Sequence, residues 1–213
     1  MNRILLVSGV AAGLVLCWLA FDPPAPREAG ANPTLPPPAV TGAPGENLCS
    51  DCHTGNAVND GVGSVRIDGV PAAYTPSQTY VLTAVVQRSG QLRWGFELTA
   101  LKNSDNTNAG AVASTSAFTR TQAFSGRTYI SHTTLNPGQD GTFSGSPAGS
   151  WTFDWTAPAA GAGTVAFYAA GNAADGTGTQ LGDFIYSTTA SSMEAPSTAV
   201  DATTWGKIKM LYR

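Results

Sequence analysis

The sequence predicts an all-β fold, an antiparallel β-sandwich of immunoglobulin-like form, on three observations. Runs of aromatic and β-branched residues alternate with polar ones at a period of two, which puts successive side chains on opposite faces of a strand. Clusters of Gly, Pro, Asn and Asp separate those runs, as turns require. Composition agrees: 24 of 213 residues are Gly and only 12% are charged, as expected of an extracytoplasmic β domain rather than a helical cytosolic one. Lys plus Arg number 11 against 14 Asp plus Glu. That mildly acidic balance argues against a nucleic-acid partner, which would want a basic stripe.

The elements follow in order. Met1-Asn2-Arg3 is a short basic start, and Ile4 to Phe21 is nearly continuous apolar sequence. Residues 1–21 therefore read as a secretory signal peptide, or as a retained N-terminal anchor tethering the chain to a membrane, since the run approaches the length of a membrane span. Leu16 stands before Cys17 where a lipoprotein box wants a small residue, so lipidation is disfavoured. Residues 22–40 carry Pro23, Pro24, Pro26, Pro33, Pro36, Pro37 and Pro38 and read as an extended linker.

The sandwich is expected over residues 41–190. Tyr80, Leu82, Ala84 and Val86 alternate with polar or outward positions, as do Leu92, Trp94, Phe96 and Leu98. Trp151, Phe153 and Trp155 repeat the pattern, followed by Val165, Phe167 and Ala169, then Phe184, Tyr186 and Thr188. These aromatic residues are read as core. Residues 191–213 read as a second linker and a short C-terminal amphipathic helix, with Trp205, Ile208, Leu211 and Tyr212 at helical spacing. A helix that short is marginal alone and should dock on the sandwich or on another molecule.

The chemistry is concentrated in Cys49-Ser50-Asp51-Cys52-His53. A C-x-x-C-H pentapeptide is the attachment pattern of a c-type haem. Each thiol adds to one porphyrin vinyl group, the two-residue gap lets one turn span the vinyls, and the adjacent imidazole serves as proximal iron ligand. Alternatives for the cysteine pair are a zinc site, a thioredoxin-like dithiol and a plain disulfide. Zinc would need two more ligands where only Cys17 and His132 remain, and no βαβ pattern surrounds the pair. The disulfide stays open, because the chain looks exported.

Further along the chain, Thr41-Gly-Ala-Pro-Gly-Glu46, Tyr74-Thr-Pro-Ser-Gln-Thr-Tyr80, Gly95-Phe-Glu-Leu-Thr-Ala100 and Tyr129-Ile-Ser-His-Thr133 occur in that order. Trp151-Thr-Phe-Asp-Trp-Thr-Ala-Pro158 and Gly163-Thr-Val-Ala-Phe-Tyr-Ala-Ala-Gly-Asn172 follow them. With these segments, about Thr41 to Thr189 resembles bacterial members of the reeler-like, "choice-of-anchor V" family. That resemblance implies an extracellular β-sandwich. Bacterial relatives with the pentapeptide are described as haem-binding, whereas animal reeler domains do not bind haem through C-x-x-C-H, so the resemblance bears on fold more than on chemistry.

The second axial position decides the function. His132 is the only other histidine, in a strand-like run that points it with Ile130, towards the core if Ile130 is buried. Met193 and Met210 are the rival ligands, and Met would raise the potential relative to two histidines. The expected site is one covalent haem c held by Cys49 and Cys52, with iron bound by His53 and His132, in a pocket for which Trp94, Trp151 and Trp155 are candidate lining residues. With both axial positions filled, the expectation is single-electron transfer rather than catalysis. The protein would be periplasmic, extracellular or on the cell surface, with redox proteins, other haem proteins or further copies of itself as partners. Two other readings follow from the same residues: an adhesion or binding module with a structural haem or Cys49–Cys52 disulfide, and a haem-based sensor. No serine–histidine–acid or paired-carboxylate site supports a hydrolase.

Overall fold

The computed structural model describes residues 32–196. It contains ten strands: β1 (Ser64–Asp68), β2 (Ala73–Tyr74), β3 (Thr79–Gln87), β4 (Arg93–Lys102), β5 (Ala111–Ser114), β6 (Thr119–Phe124), β7 (Arg127–His132), β8 (Ala148–Thr156), β9 (Val165–Ala174) and β10 (Phe184–Glu194). One sheet has four strands in the order β1-β3-β8-β5, and the other six, β2-β10-β9-β4-β7-β6. The strand pairings are antiparallel except for the short parallel one between β10 and β2. The fold is the all-β sandwich expected.

Period-two alternation builds the core between the sheets. Leu82, Ala84 and Val86 of β3 and Trp151, Phe153 and Trp155 of β8 meet Trp94, Phe96 and Leu98 of β4 and Phe167 and Ala169 of β9. Phe96 stacks on Trp151 with ring centroids 4.5 Å apart, and Trp155 meets Phe167 edge-on at 4.8 Å. Buried indole N–H groups need acceptors. Loop carbonyls supply them: Trp151 donates to Gly141 at 2.8 Å and Trp155 to Ala109 at 3.0 Å.

Some expectations are corrected. Leu92 is 54% exposed, because β4 begins only at Arg93 and the alternation starts with Trp94. β10 runs past residue 190 to Glu194, and Met193 pairs with Ala73 at its far end. The leader, residues 197–213 with the expected C-terminal helix, and Met210 lie outside the described residues. Among the described residues no helix is long and apolar enough to cross a membrane.

The outer face of the six-stranded sheet positions the site. With Trp94, Phe96 and Leu98 turned inward, Gly95 and Glu97 fall on the outer face, beside Asn172 and Ala170 of β9 in the register. Segments of residues 32–53 lie over this face. From Asn32 the Pro-rich stretch, expected as a free linker, is a strap laid along β6 and β7. Prolines offer no N–H but keep their carbonyls. Pro36 O accepts from Gln122 Nε2 at 3.1 Å, and the neighbouring Thr34 O accepts from Thr134 N at 3.0 Å. Further on, Glu46 Oε1 accepts from Tyr129 at 2.7 Å and Arg127 at 2.5 Å.

Candidate functional site

Cys49–Asp51 forms a single 3-10 turn, with the His53 N–H donating to Cys49 O at 2.9 Å. That turn gathers Cys49, Cys52 and His53. Thr54 then bridges to Leu181, donating to Gln180 O at 3.0 Å and accepting from Gly182 N at 2.8 Å. Gly55 makes the close passage feasible: its φ is +107°, and a Cβ there would lie 3.1 Å from Gly182 N. The bridge brings His53 beside Asp183, at the start of β10.

His53 Nδ1 lies 2.6 Å from Asp183 Oδ2, and that carboxylate is almost fully buried. Asn172 Nδ2 donates to the same oxygen at 3.3 Å, and the Asp175 N–H donates to Oδ1 at 3.3 Å. A carboxylate that accepts a hydrogen bond from Nδ1–H fixes the tautomer in which Nε2 carries the lone pair, the arrangement that orients a metal-binding imidazole.

His132 is 6% exposed. Ile130 is in the core, the condition on which His132 is expected to point inward, but His132 is not simply beside it. Past Ser131 the β4–β7 register ends, and the imidazole takes up the bonding groups of β4 there. Phe96 offers its Nδ1 a main-chain N–H at 3.1 Å and a carbonyl at 3.3 Å. The tautomer that donates to the carbonyl leaves Nε2 free. The ring lies against Gly95, where a Cβ would come within 2.9 Å of Cε1. Burial pushes the His132 pKa down to about 4, so the imidazole is neutral, as a metal ligand must be.

Cys49, Cys52, His53 and His132 all line one cavity of about 700 Å³ between the strap and the outer sheet face. That is within the usual range for cofactor-sized pockets. Trp94 also lines it, whereas Trp151 and Trp155 belong to the core on the other side of the sheet. Both thiols are free, Cys52 exposed and Cys49 half-buried. Burial, with the Glu97 carboxyl adding to it, pushes the Cys49 thiol up to about 12. A thiol so firmly protonated is itself a poor nucleophile. Among the described residues no group of three or more His, Cys, Asp or Glu side chains could hold a bare metal ion. Two imidazoles and two thiols around one cavity are instead the donor types that a thioether-bound porphyrin would use, so the residues fit the group.

Met193 is 62% exposed and lies at the opposite end of β10 from Asp183. Ten residues of strand separate them by about 30 Å, so Met193 does not reach the cavity. Asp183, Asn172, Gly95 and Glu97 were not singled out from the sequence as site residues. No local spacing links them to the pentapeptide; only the register of β4, β9 and β10 does.

No protein-family model matches the chain, and no curated protein matches its sequence. Solved structures with similar folds include the human F-spondin reeler domain, at 20% identity and a TM-score of 0.44, over 66% of this chain and 95% of that one. Another is AvmM, which catalyses macrocyclisation in alchivemycin A biosynthesis, at 21% identity and 0.39 over 67% and 94%. A third is a cohesin module of a Clostridium perfringens family 33 glycoside hydrolase, at 11% and 0.40 over 62% and 96%. Reeler domains are thus among the structures this sandwich resembles. The reading of the site rests on this chain's own residues.

Proposed function

We propose that the protein is an exported mono-haem c-type cytochrome that carries single electrons. The observation that carries this reading is the convergence of Cys49, Cys52, His53 and His132 on one cavity. Cys49 and Cys52 would hold the haem through thioethers, and His53 and His132 would bind its iron. Bound there, haem c supplies a one-electron Fe(III)/Fe(II) couple.

The chain's own residues hold and tune that couple. Asp183 keeps the Nδ1 proton of His53 and makes the imidazole a stronger donor. The Phe96 carbonyl does the same for His132 from a neutral group. Gly95 leaves the space that His132 occupies, and the strap forms one wall of the cavity. With His53 and His132 both bound to it, the iron would have no open position for small-molecule chemistry, which would leave outer-sphere electron exchange. The basic, then apolar leader supports export, and a redox protein or another haem protein is the partner such a carrier needs.

The test is to express the full chain with a haem-maturation system and record oxidised and reduced spectra. A sharp, reversible, low-spin cytochrome spectrum with the haem retained after denaturation is the expected result. A colourless protein with Cys49 joined to Cys52 overturns it and leaves a binding sandwich. Bands that shift with carbon monoxide in the unmodified protein would make it a haem sensor instead.

A further inference from the structure

Glu97 is fully buried and lines the same cavity as the two cysteines and two histidines. Its Oε2 accepts the Val40 N–H at 2.8 Å, but Oε1 has no hydrogen-bond partner among the described residues. No cation pairs with it among the described residues. A buried carboxylate with an unpaired oxygen is strongly disfavoured, so the group should hold a proton unless something nearby supplies positive charge.

We infer that Glu97 is a redox-linked proton site, so that the protein carries a proton together with each electron. The inference rests on the haem reading. Glu97 gains one proton from solvent as one electron arrives from a reduced partner protein and Fe(III) becomes Fe(II). It releases that proton when the electron leaves. The sign follows from charge: the oxidised site is more positive by one and stabilises the carboxylate, while the reduced site stabilises the acid.

The surroundings leave Glu97 as the group best placed for this. From β7, Ser131 sits opposite it and Tyr129 one pair further along, and Ala170 faces it from β9. The strap contributes the Val40 N–H, Cys49 and Glu46, whose own charge is taken up by Arg127 and Tyr129. Asp51, Arg93, His53, His132 and Asp183 line the rest of the cavity. Burial, with Glu46 adding to it, pushes the Glu97 carboxyl up to about 8. An ordinary carboxyl would titrate too low to follow the electron near neutral pH.

The experiment is a spectroelectrochemical titration of the haem-loaded full chain over roughly pH 6 to 9, a range that brackets the raised Glu97 value. The expected midpoint potential falls by up to ~59 mV for each tenfold drop in proton concentration, the one-proton, one-electron limit. Glu97→Gln should flatten that slope while leaving the low-spin spectrum in place. Redox-difference infrared spectra of the unmodified protein should show a carboxylic-acid carbonyl appearing on reduction, and this needs no variant to fold. A flat potential, a slope that survives in Glu97→Gln, or no such band overturns the inference while the cytochrome stands. A protein without haem overturns both.

Discussion

His53 and His132 are held by different groups, and under the proposed cytochrome reading that difference would rank their bonds to iron. His53 faces a buried carboxylate at 2.6 Å, whereas His132 has a main-chain carbonyl at 3.3 Å that competes with an N–H at 3.1 Å. The carboxylate makes His53 the stronger donor, so His132 is the ligand that yields first. His132→Ala is expected to give a high-spin spectrum that binds carbon monoxide readily; an unchanged spectrum would remove His132 from the site. Glu97 makes a second residue-scale prediction, in the chain produced without haem. Its carboxyl rises from an ordinary 4.5 to about 8 on folding, so the folded state binds more protons than the unfolded one between those values. Stability therefore falls as pH rises through that window. His132, lowered from 6.5 to about 4, acts with the opposite sign but is complete by its unfolded value. Between pH 6.5 and 8, Glu97 should account for a loss of about 2 kcal/mol, at ~1.4 kcal/mol per pH unit. Urea unfolding at several pH values measures this, and Glu97→Gln should be flat over that interval.

At the scale of elements, β4 does two jobs because a strand has two faces. Trp94, Phe96 and Leu98 enter the core, and Gly95 and Glu97 enter the cavity. Gly95→Ala puts a Cβ 2.9 Å from His132 Cε1 and 3.3 Å from Nδ1. The buried ring has little room to yield, so the variant should lose about 1–3 kcal/mol, as overpacking does, and its haem spectrum should shift towards high spin. An undisturbed low-spin spectrum would mean that His132 binds from another position. The same strand shows what the sequence could reveal. The alternation of its large residues was legible, as were the aromatic runs of β8 and β9, because packing repeats with the pleat. Short strands such as β5 and β6 were not, since their pairing comes from neighbours and β5 buries only Val112 of its four residues. The pentapeptide was legible as a candidate for chemistry because its spacing matches what porphyrin attachment requires. Asp183 was not, because it lies 130 residues from His53 and meets it only through the Thr54–Leu181 bridge.

Across the whole molecule, the six-stranded sheet separates two environments. The aromatic core lies between the sheets, while the cavity lies outside, under the strap. The Trp151, Phe153, Trp155 and Phe167 rings do not themselves line the cavity, although Phe96, which stacks on Trp151, borders it, so the sandwich should fold whether or not a cofactor is attached. That differs from small domains whose folding depends on a bound group. The double variant Cys49→Ser, Cys52→Ser makes the point measurable. It should be colourless after haem maturation, yet keep the near-ultraviolet circular dichroism of packed tryptophans and unfold in one cooperative transition. Its stability should stay within about 2 kcal/mol of the haem-free unmodified chain, since Cys52 is exposed and Cys49 has only a 3.6 Å contact with Val40 O. By contrast, Trp151→Ala, which removes the ring stacked on Phe96, should lose about 3–5 kcal/mol. If the double variant instead loses its tertiary dichroism while Trp151→Ala keeps it, the cofactor and not the aromatic interior organises the fold. The sandwich could then no longer be treated as a scaffold complete before the haem arrives.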